Sequence, residues 1–152
     1  MKKLLIFLLS IFFVSINVVV AKDIVPIKHN ELGETIIAID LDSIKPCSSN
    51  TYCVELISYP TDNWTYRDEI PIFKHEIDIK NKKLRLVEVY TRNRKTWKIN
   101  YIYENCTHLE EKGELKWKNI EPQTLSDTIY MVTYLVGLHG KKYFKDDFFM
   151  NN

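Results

Sequence analysis

Apolar and polar residues alternate through most of the chain between positions 24 and 103. Ile37, Ile39 and Leu41 are one example, in which the apolar residues recur at every second position. Side chains of an extended strand point alternately to its two faces, so this period places all three on one face. The same period predicts strands over segments 35–41, 51–59, 70–79, 84–91 and 97–103.

Short polar breaks separate these segments. Lys80-Asn81-Lys82-Lys83, which lies between two of them, is typical of a hairpin turn. Strands joined by a few polar residues pair as antiparallel neighbours, whereas parallel strands need a crossover of about a dozen residues or more. We therefore expect the strands to form an antiparallel meander.

The apolar period changes towards the C-terminus. Thr124-Leu-Ser-Asp127 resembles a capping box and predicts the start of a helix. Apolar residues then recur at spacings of three and four from Leu125 to Val136, and Gly137 is expected to end the helix. The expected fold class is α+β: an antiparallel β-sheet meander of about six strands, packed by one C-terminal α-helix.

The N-terminus has the order of a secretory signal. Lys2 and Lys3 precede an apolar stretch, and Val19-Val20-Ala21 supplies the small residues of a cleavage site. An uncleaved membrane anchor is the alternative, but the stretch contains Asn17 and reaches only the lower limit of about 17 residues for a span. We expect residues 1–21 to be a signal peptide and residues 22–152 to form a single domain, exported to the periplasm or the cell surface, with no membrane span in the mature chain.

The charges of the whole chain are balanced, with 21 basic and 20 acidic residues. Loss of the signal peptide would remove only Lys2 and Lys3 from that count. A near-neutral exported domain has no global charge that would attract nucleic acid, so we expect no nucleic-acid partner.

An exported protein can form disulfides, which makes its cysteines informative. Cys47 and Cys53 flank a short polar segment between two apolar ones, so we expect them to be paired across the end of a hairpin. Cys106 is then left over. It is either buried and inert, reactive, or paired with another chain.

No catalytic or metal-binding motif is present in the sequence. The histidines are scattered over four separate segments, and none has the spacing of a zinc site: His29, His75, His108 and His139. Asp40 and Asp42 would share a face of an extended strand, which suits acid–base chemistry or a hard cation. We interpret them as a solvated strand face or the onset of a turn, and we expect no enzyme activity, no metal and no cofactor.

One stretch of the chain carries a local excess of positive charge. Glu88 is the only acidic residue among the basic ones between Lys80 and Lys98. The candidate binding residues are Lys82, Lys83, Arg85, Arg92, Arg94, Lys95 and Lys98. Such an excess can recruit an acidic protein surface or a sulfated polysaccharide. Two solubilising turns, placed at different ends of the sheet, are the alternative interpretation.

Three segments in order resemble the surface-adhesin E family, a group of small exported bacterial proteins. They are Ile39-Asp-Leu-Asp-Ser-Ile44, the stretch from Glu76 to Leu86, and Trp117 with Ile120, Pro122 and Thr124. Many members have a cysteine where Ile79 stands, paired with one near the helix end; this chain lacks both. The resemblance implies an antiparallel sheet packed by a C-terminal helix and, for the namesake, adhesion to host extracellular-matrix and serum proteins.

We therefore expect an exported, non-enzymatic binding module of the bacterial cell envelope, an adhesin for a host matrix or serum protein or a sulfated glycan. The alternative is a structural or assembly subunit, such as a homodimer, that pairs through a sheet edge or Cys106. An enzyme ranks third, because it would need His75 to meet Asp40 or Asp42 in a shared pocket.

Overall fold

The computed structural model describes residues 23–59, 68–102 and 115–142 of the chain. The strands are β1 (Ile24–His29), β2 (Thr35–Ser48), β3 (Thr51–Ser58), β4 (Glu69–Asp78), β5 (Lys83–Asn93), β6 (Ile99–Ile102) and β7 (Lys118–Asn119), and the helix α1 spans Leu125–His139. The first six strands form one antiparallel sheet in chain order, and β7 pairs with β5 beside β6. The predicted α+β fold is confirmed.

One face of the sheet forms the main core with α1. Ile39, Val54 and Ile77 on this face are fully buried, and Ile129 and Val136 of the helix are buried against the same face. Burial of each such side chain stabilises the fold by about 1.5 to 3 kcal/mol. The alternation in segments 35–41 and 51–59 predicted these faces correctly.

The opposite face has a smaller apolar core. Ile57, Ile70 and Ile72 are buried with Tyr90, and Trp97 packs against them. Trp97 lies in the connection between β5 and β6 with a φ of 58°, in the left-handed region. Both faces of the central strands are therefore covered, which is why β3 and β4 contain apolar residues on each face.

The helix begins as the capping box predicts. Thr124 Oγ1 accepts a hydrogen bond from Asp127 N at 3.3 Å, and Asp127 Oδ2 accepts one from Gln123 N at 3.0 Å. The first bond satisfies a backbone donor that the first turn leaves without an intrahelical partner, and the second ties Asp127 to the residue just before the N-cap. The predicted start is confirmed.

The predicted end of the helix at Gly137 is wrong. α1 continues through Gly137 to His139, and Gly140 caps its end with a φ of 80°. A Cβ atom at position 137 would lie 2.9 Å from Tyr52 Cζ, so the glycine admits this ring of β3 against the helix. A packing requirement, rather than helix termination, explains this glycine.

Cys47 and Cys53 form the predicted disulfide, with a Cα–Cα distance of 5.8 Å. It joins the ends of β2 and β3 beside a bulge in which Leu41 to Ile44 interrupt the register. Ser43 holds the bulge together, because its Oγ donates to Asp40 O at 2.6 Å and accepts from Glu55 N at 2.7 Å.

Candidate binding surface

The turn between β4 and β5 holds its basic residues in a fixed loop. Asp78 accepts hydrogen bonds from Asn81 N at 2.9 Å and from Asn81 Nδ2 at 2.7 Å. The Asn81 amide lowers the pKa of the Asp78 carboxyl, because both bonds favour its charged form. Lys82 follows with a φ of 51°. Local hydrogen bonds therefore shape the turn that presents Lys80 and Lys82.

A second segment, distant in sequence, lies beside this turn. β7 pairs Asn119 with Lys83 and Lys118 with Leu84, and Ile120 N donates to Lys82 O at 3.0 Å. This pairing brings the segment 116–118 next to the start of β5. We call the resulting area the turn surface; it comprises Lys80, Lys82, Lys83, Arg85, Lys116, Trp117 and Lys118.

Arg85 is the fixed centre of the turn surface. Its Nε and Nη2 donate to Glu76 Oε2 at 2.7 and 2.6 Å, and its guanidinium carbon lies 4.8 Å from the centroid of the Trp117 ring. Arg85 and Glu76 form a charge-assisted pair, and the guanidinium lies over the indole ring within the distance of a cation–π contact. Trp117 remains 38% exposed, so part of its surface faces solvent.

The lysines of the turn surface lie at the same end of β5 as Arg85, but Lys118 pairs with Leu84 and so lies on the helix face of the sheet, opposite to Arg85. The side chains of Lys80, Lys82, Lys116 and Lys118 are exposed, and that of Lys83 is half-buried. Lys82 Nζ lies 5.8 Å from the Tyr130 ring centroid of α1, so the surface wraps round the sheet corner towards the helix. The carboxylates on the same segments are those of Glu76, Asp78 and Glu121. The cations outnumber them, so the area is positively charged.

The other predicted binding residues lie at the opposite end of β5. Lys83 and Asn93 bound the strand. At about 3.3 Å per residue, its ends are roughly 33 Å apart. Arg92, Arg94, Lys95 and Lys98 therefore do not share a surface with Lys82, Lys83 and Arg85.

Arg92 is enclosed by other side chains. Its Nη2 lies 3.3 Å from Glu55 Oε2 and 3.2 Å from Tyr90 Oη, and its Nη1 donates to Trp97 O at 3.1 Å. The guanidinium also lies over the Tyr90 and Trp97 rings at 5.2 and 5.9 Å. Burial and the hydrogen bond to Glu55 raise the pKa of the Tyr90 hydroxyl. Arg92 is therefore part of the second core.

The remaining cations at this end are exposed. Arg94, Lys95 and Lys98 lie in or just after the β5–β6 turn, and Lys95 Nζ is 3.9 Å from Asp68 Oδ1. The turn is shaped by Asn93, whose Oδ1 accepts from Thr96 N at 2.9 Å. That these residues bind a partner stays a prediction.

The residues considered for catalysis do not meet. Asp40 pairs in register with Glu55 on the second-core face, whereas His75 pairs with Val54 and lies on the helix face. Asp40 is only 2% exposed, so the expected solvated strand face is wrong at this position. Asp40 is flanked by paired residues on both sides, Ile24 of β1 and Glu55 of β3, and its Oδ1 accepts a hydrogen bond from Asp42 N at 3.0 Å.

Asp42 instead serves the end of the helix. Lys141 forms ion pairs with both Asp42 and Asp23, the latter at 3.0 Å. The hydrogen bond from Lys141 lowers the pKa of Asp42, and the reciprocal contact raises the pKa of Lys141 to about 12. Within the described ranges no group of acidic, histidine or cysteine side chains has the arrangement of a metal site.

The sequence reading missed Lys116, Trp117 and Lys118 as site residues. Lys116-Trp-Lys118 is a local signal, a Trp between two lysines, but only the pairing of β7 with β5 shows that it extends the turn. The leftover Cys106 lies outside the described residues, and so do residues 1–21, so the predicted signal peptide stays a prediction. No helix in the portions that the structure describes has the length and apolarity of a membrane span.

No protein-family model, no curated protein and no solved structure matches this chain. The resemblance to the surface-adhesin E family stays a prediction.

Proposed function

We propose that this protein is an exported, non-enzymatic binding module of the cell envelope that attaches to sulfated glycans through the turn surface. The observation that carries the proposal is that the pairing of β7 with β5 brings Lys116 and Lys118 to the end of the sheet that already holds Lys80, Lys82, Lys83 and Arg85, beside the part-exposed Trp117. The adhesin role is an inference from this cluster and from the family resemblance.

Charge and shape both favour a polyanionic chain as the ligand. Exposed lysines attract sulfate groups over a distance of about 8 to 10 Å at ordinary salt. The guanidinium of Arg85, held by Glu76, can present its outer N–H groups in a fixed direction. The exposed part of the Trp117 ring offers an apolar surface to a sugar ring.

Binding to heparin tests the proposal. The turn variant carries Lys82→Asn, Lys116→Ser and Lys118→Ser; Asn is chosen at position 82 because it tolerates the positive φ there. The matched control carries Arg94→Ser, Lys95→Ser and Lys98→Ser and removes the same charge from the opposite end of β5.

We expect the unaltered chain to bind heparin saturably, with an affinity that weakens as salt rises. The affinity of the turn variant should be lower by about tenfold or more, because each of the three cations contributes roughly half a kcal/mol. The matched control should bind like the unaltered chain. Equal losses in both variants would instead indicate non-specific attraction. Binding to host matrix or serum proteins but not to heparin would contradict the glycan ligand and indicate an acidic protein surface as the ligand instead.

A second candidate function is assembly with another copy, favoured by the outer face of α1. Met131, Tyr134 and Leu138 form a helical stripe there and are 46%, 39% and 61% exposed. An apolar stripe on a helix is usually covered. Sedimentation equilibrium tests this: a mass that rises with concentration and falls to the monomer in Met131→Lys, Leu138→Lys would support a homodimer, and a constant monomer mass would exclude it.

The β1 edge of the sheet is less suited to pairing with another copy than the outer face of α1. β1 presents Pro26 and Lys28, both exposed, and its register with β2 is irregular at these positions. Proline, lysine and irregular pairing are features by which proteins protect an edge strand from a second chain.

A further inference from the structure

The apolar stripe on the outer face of α1 is continuous with the turn surface. Lys82 Nζ, which belongs to the turn surface, lies 5.8 Å from the centroid of the Tyr130 ring. The Tyr130 ring in turn stacks on that of Tyr134, with 6.1 Å between the centroids and 12° between the planes. Tyr134 lies between Met131 and Leu138 on the helix, and all three side chains are exposed. A partner that covers this stripe therefore lies beside the basic turn.

The stripe concentrates the apolar exposure of the described residues. Seven large apolar side chains are exposed there, and three of them lie on this one helix face, at spacings of three and four residues. Single apolar residues scattered over a surface are ordinary, whereas a contiguous group marks a contact site. The matching occupant is an apolar surface of similar length.

The charges at the two ends of α1 favour a second copy of the chain as that occupant. Asp127 lies in the first turn and the exposed Glu121 just before the helix, whereas the exposed Lys142 lies just beyond its end. Two such helices packed antiparallel place the acidic end of each against the basic end of the other, and their dipoles also attract in this order. The face is therefore self-complementary, as a two-fold interface requires.

The apolar residues fit the same antiparallel arrangement. Met131 and Leu138 lie three residues before and four residues after Tyr134. A two-fold axis near Tyr134 therefore places Met131 of each copy against Leu138 of the other. With a rise of about 1.5 Å per residue, the two Tyr130 rings are then roughly 14 Å apart along the helices. Lys82 lies beside each ring, so the two turn surfaces flank the contact.

One glycan chain can then contact both turn surfaces. The second contact forms within a complex that already exists, so a chain long enough to reach both surfaces binds with a higher affinity and without a new kind of contact. Because glycan binding and pairing are linked, the same free energy stabilises the dimer.

We infer that two copies pair antiparallel through the outer face of α1 and that a sulfated glycan bridging their turn surfaces strengthens the pair. This rests on the glycan binding proposed above and adds the unit that binds. Pairing is then part of glycan attachment rather than an alternative to it.

Sedimentation equilibrium with heparin tests the bridge. We expect the dissociation constant of the dimer to fall at least about tenfold when one heparin chain is present for every two copies. A heparin disaccharide, which is too short to reach both turn surfaces, should bind and leave the dimer unchanged. Heparin binding without a stronger dimer would overturn the inference and leave the glycan proposal standing, whereas a lack of heparin binding would overturn both.

Variants of the stripe distinguish a paired dimer from copies that bind one heparin chain independently. Met131→Gln with Leu138→Gln removes the apolar contact without a change of charge, and glutamine suits a helix. This variant should bind the disaccharide as before, but its association on heparin should be at least about tenfold weaker. The matched control, Leu32→Gln with Ile99→Gln, removes two exposed apolar side chains elsewhere and should pair like the unaltered chain. Equal association of both variants on heparin would overturn the role of the stripe.

A charge cycle tests the antiparallel order in the absence of glycan. Asp127→Asn keeps an oxygen that accepts from Gln123 N, so the helix start is preserved while the charge is lost. In the unaltered chain this change should raise the dissociation constant of the dimer about two- to fivefold. In a Lys142→Glu background, where Asp127 would face an acidic residue, it should lower the constant by a similar factor. A change in the same direction in both backgrounds, or in neither, would contradict the antiparallel pair.

Discussion

Arg85 and Arg92 lie on the same strand, and each pairs with a glutamate and an aromatic ring, yet their surroundings differ. Arg92 has a side chain that is 17% exposed and contacts Glu55, Tyr90 and Trp97 in the second core. Arg85 is 39% exposed and lies over the part-exposed Trp117. Arg92 therefore contributes to the fold, whereas Arg85 remains accessible to a partner.

This difference teaches that a count of charges along the chain does not identify a binding surface. Both arginines belong to one basic stretch of sequence, but β5 extends between them and places them at opposite ends. Neighbouring strands then decide the role: β3 supplies Glu55 to Arg92, and the segment before β7 supplies Trp117 to Arg85.

The largest expected effect on stability comes from removing Arg92, which is enclosed by other side chains at its end of β5. Arg92→Ala should lower the free energy of unfolding by about 2 to 3 kcal/mol, because it leaves the mostly buried Glu55 carboxylate without its partner. Denaturant titration measures this, and heparin affinity should be unchanged. A loss below half a kcal/mol would show that Arg92 is not structural.

Removal of the disulfide should loosen the end of the sheet at which the turn surface lies. Cys47→Ser with Cys53→Ser should lower the free energy of unfolding by about 2 kcal/mol, the entropy of closing a short loop. Thr51 beside the bridge pairs with Asp78, so the loosened hairpin adjoins the β4–β5 turn. Hydrogen exchange of this turn should quicken while the Arg92 cluster keeps its protection. Equal quickening at both ends would contradict the separation.

Alkaline pH should weaken the end of β5 that holds Arg92, through the hydroxyl of Tyr90. The raised pKa of Tyr90 means that its hydroxyl keeps its proton more tightly in the folded state, so this contribution to stability is complete below pH 10 and is lost above it. The unaltered chain should lose at most about 1.4 kcal/mol per pH unit there through this group. Tyr90→Phe removes that share, and denaturant titrations at pH 9 and 11 measure the difference. An unchanged slope would contradict the shift.

The smallest effect on stability is expected at Arg85. Arg85→Ala should cost at most about 1 kcal/mol, because its pair with Glu76 is part-exposed and its contact with Trp117 is at the surface. Heparin affinity, by contrast, should fall several-fold. A loss of stability as large as that of Arg92→Ala, with full heparin affinity, would reverse the roles of the two arginines.

Much of the fold could be predicted from local patterns. The period of two residues identified β2 to β6 and the faces of β2 and β3, and Thr124 with Asp127 marked the helix start. The helix end was mispredicted because Gly137 makes room for the ring of Tyr52. Tyr52 belongs to β3, and no local feature of the sequence links it to position 137. The burial of Asp40 depends similarly on neighbouring strands, because it pairs with Ile24 of β1 and Glu55 of β3.

The binding surface was predictable only in part. The excess of cations was visible in sequence, and it contained Lys82, Lys83 and Arg85. The other members of the surface depend on strand pairing, which local patterns do not reveal. The length of β5 separates Arg92 to Lys98 from these three residues, and the pairing of β7 with β5 adds the segment 116–118. A strand of two residues has no periodicity from which its pairing could be inferred.

The central claim is that the turn surface, and not the opposite end of β5, contacts the glycan. Titration of a heparin hexasaccharide into ¹⁵N-labelled protein, followed by amide chemical shifts, tests it directly. The account predicts saturable shifts at residues 80–85 and 116–118 and little change at 92–98. Shifts concentrated at 92–98, or spread equally over both ends, would contradict it.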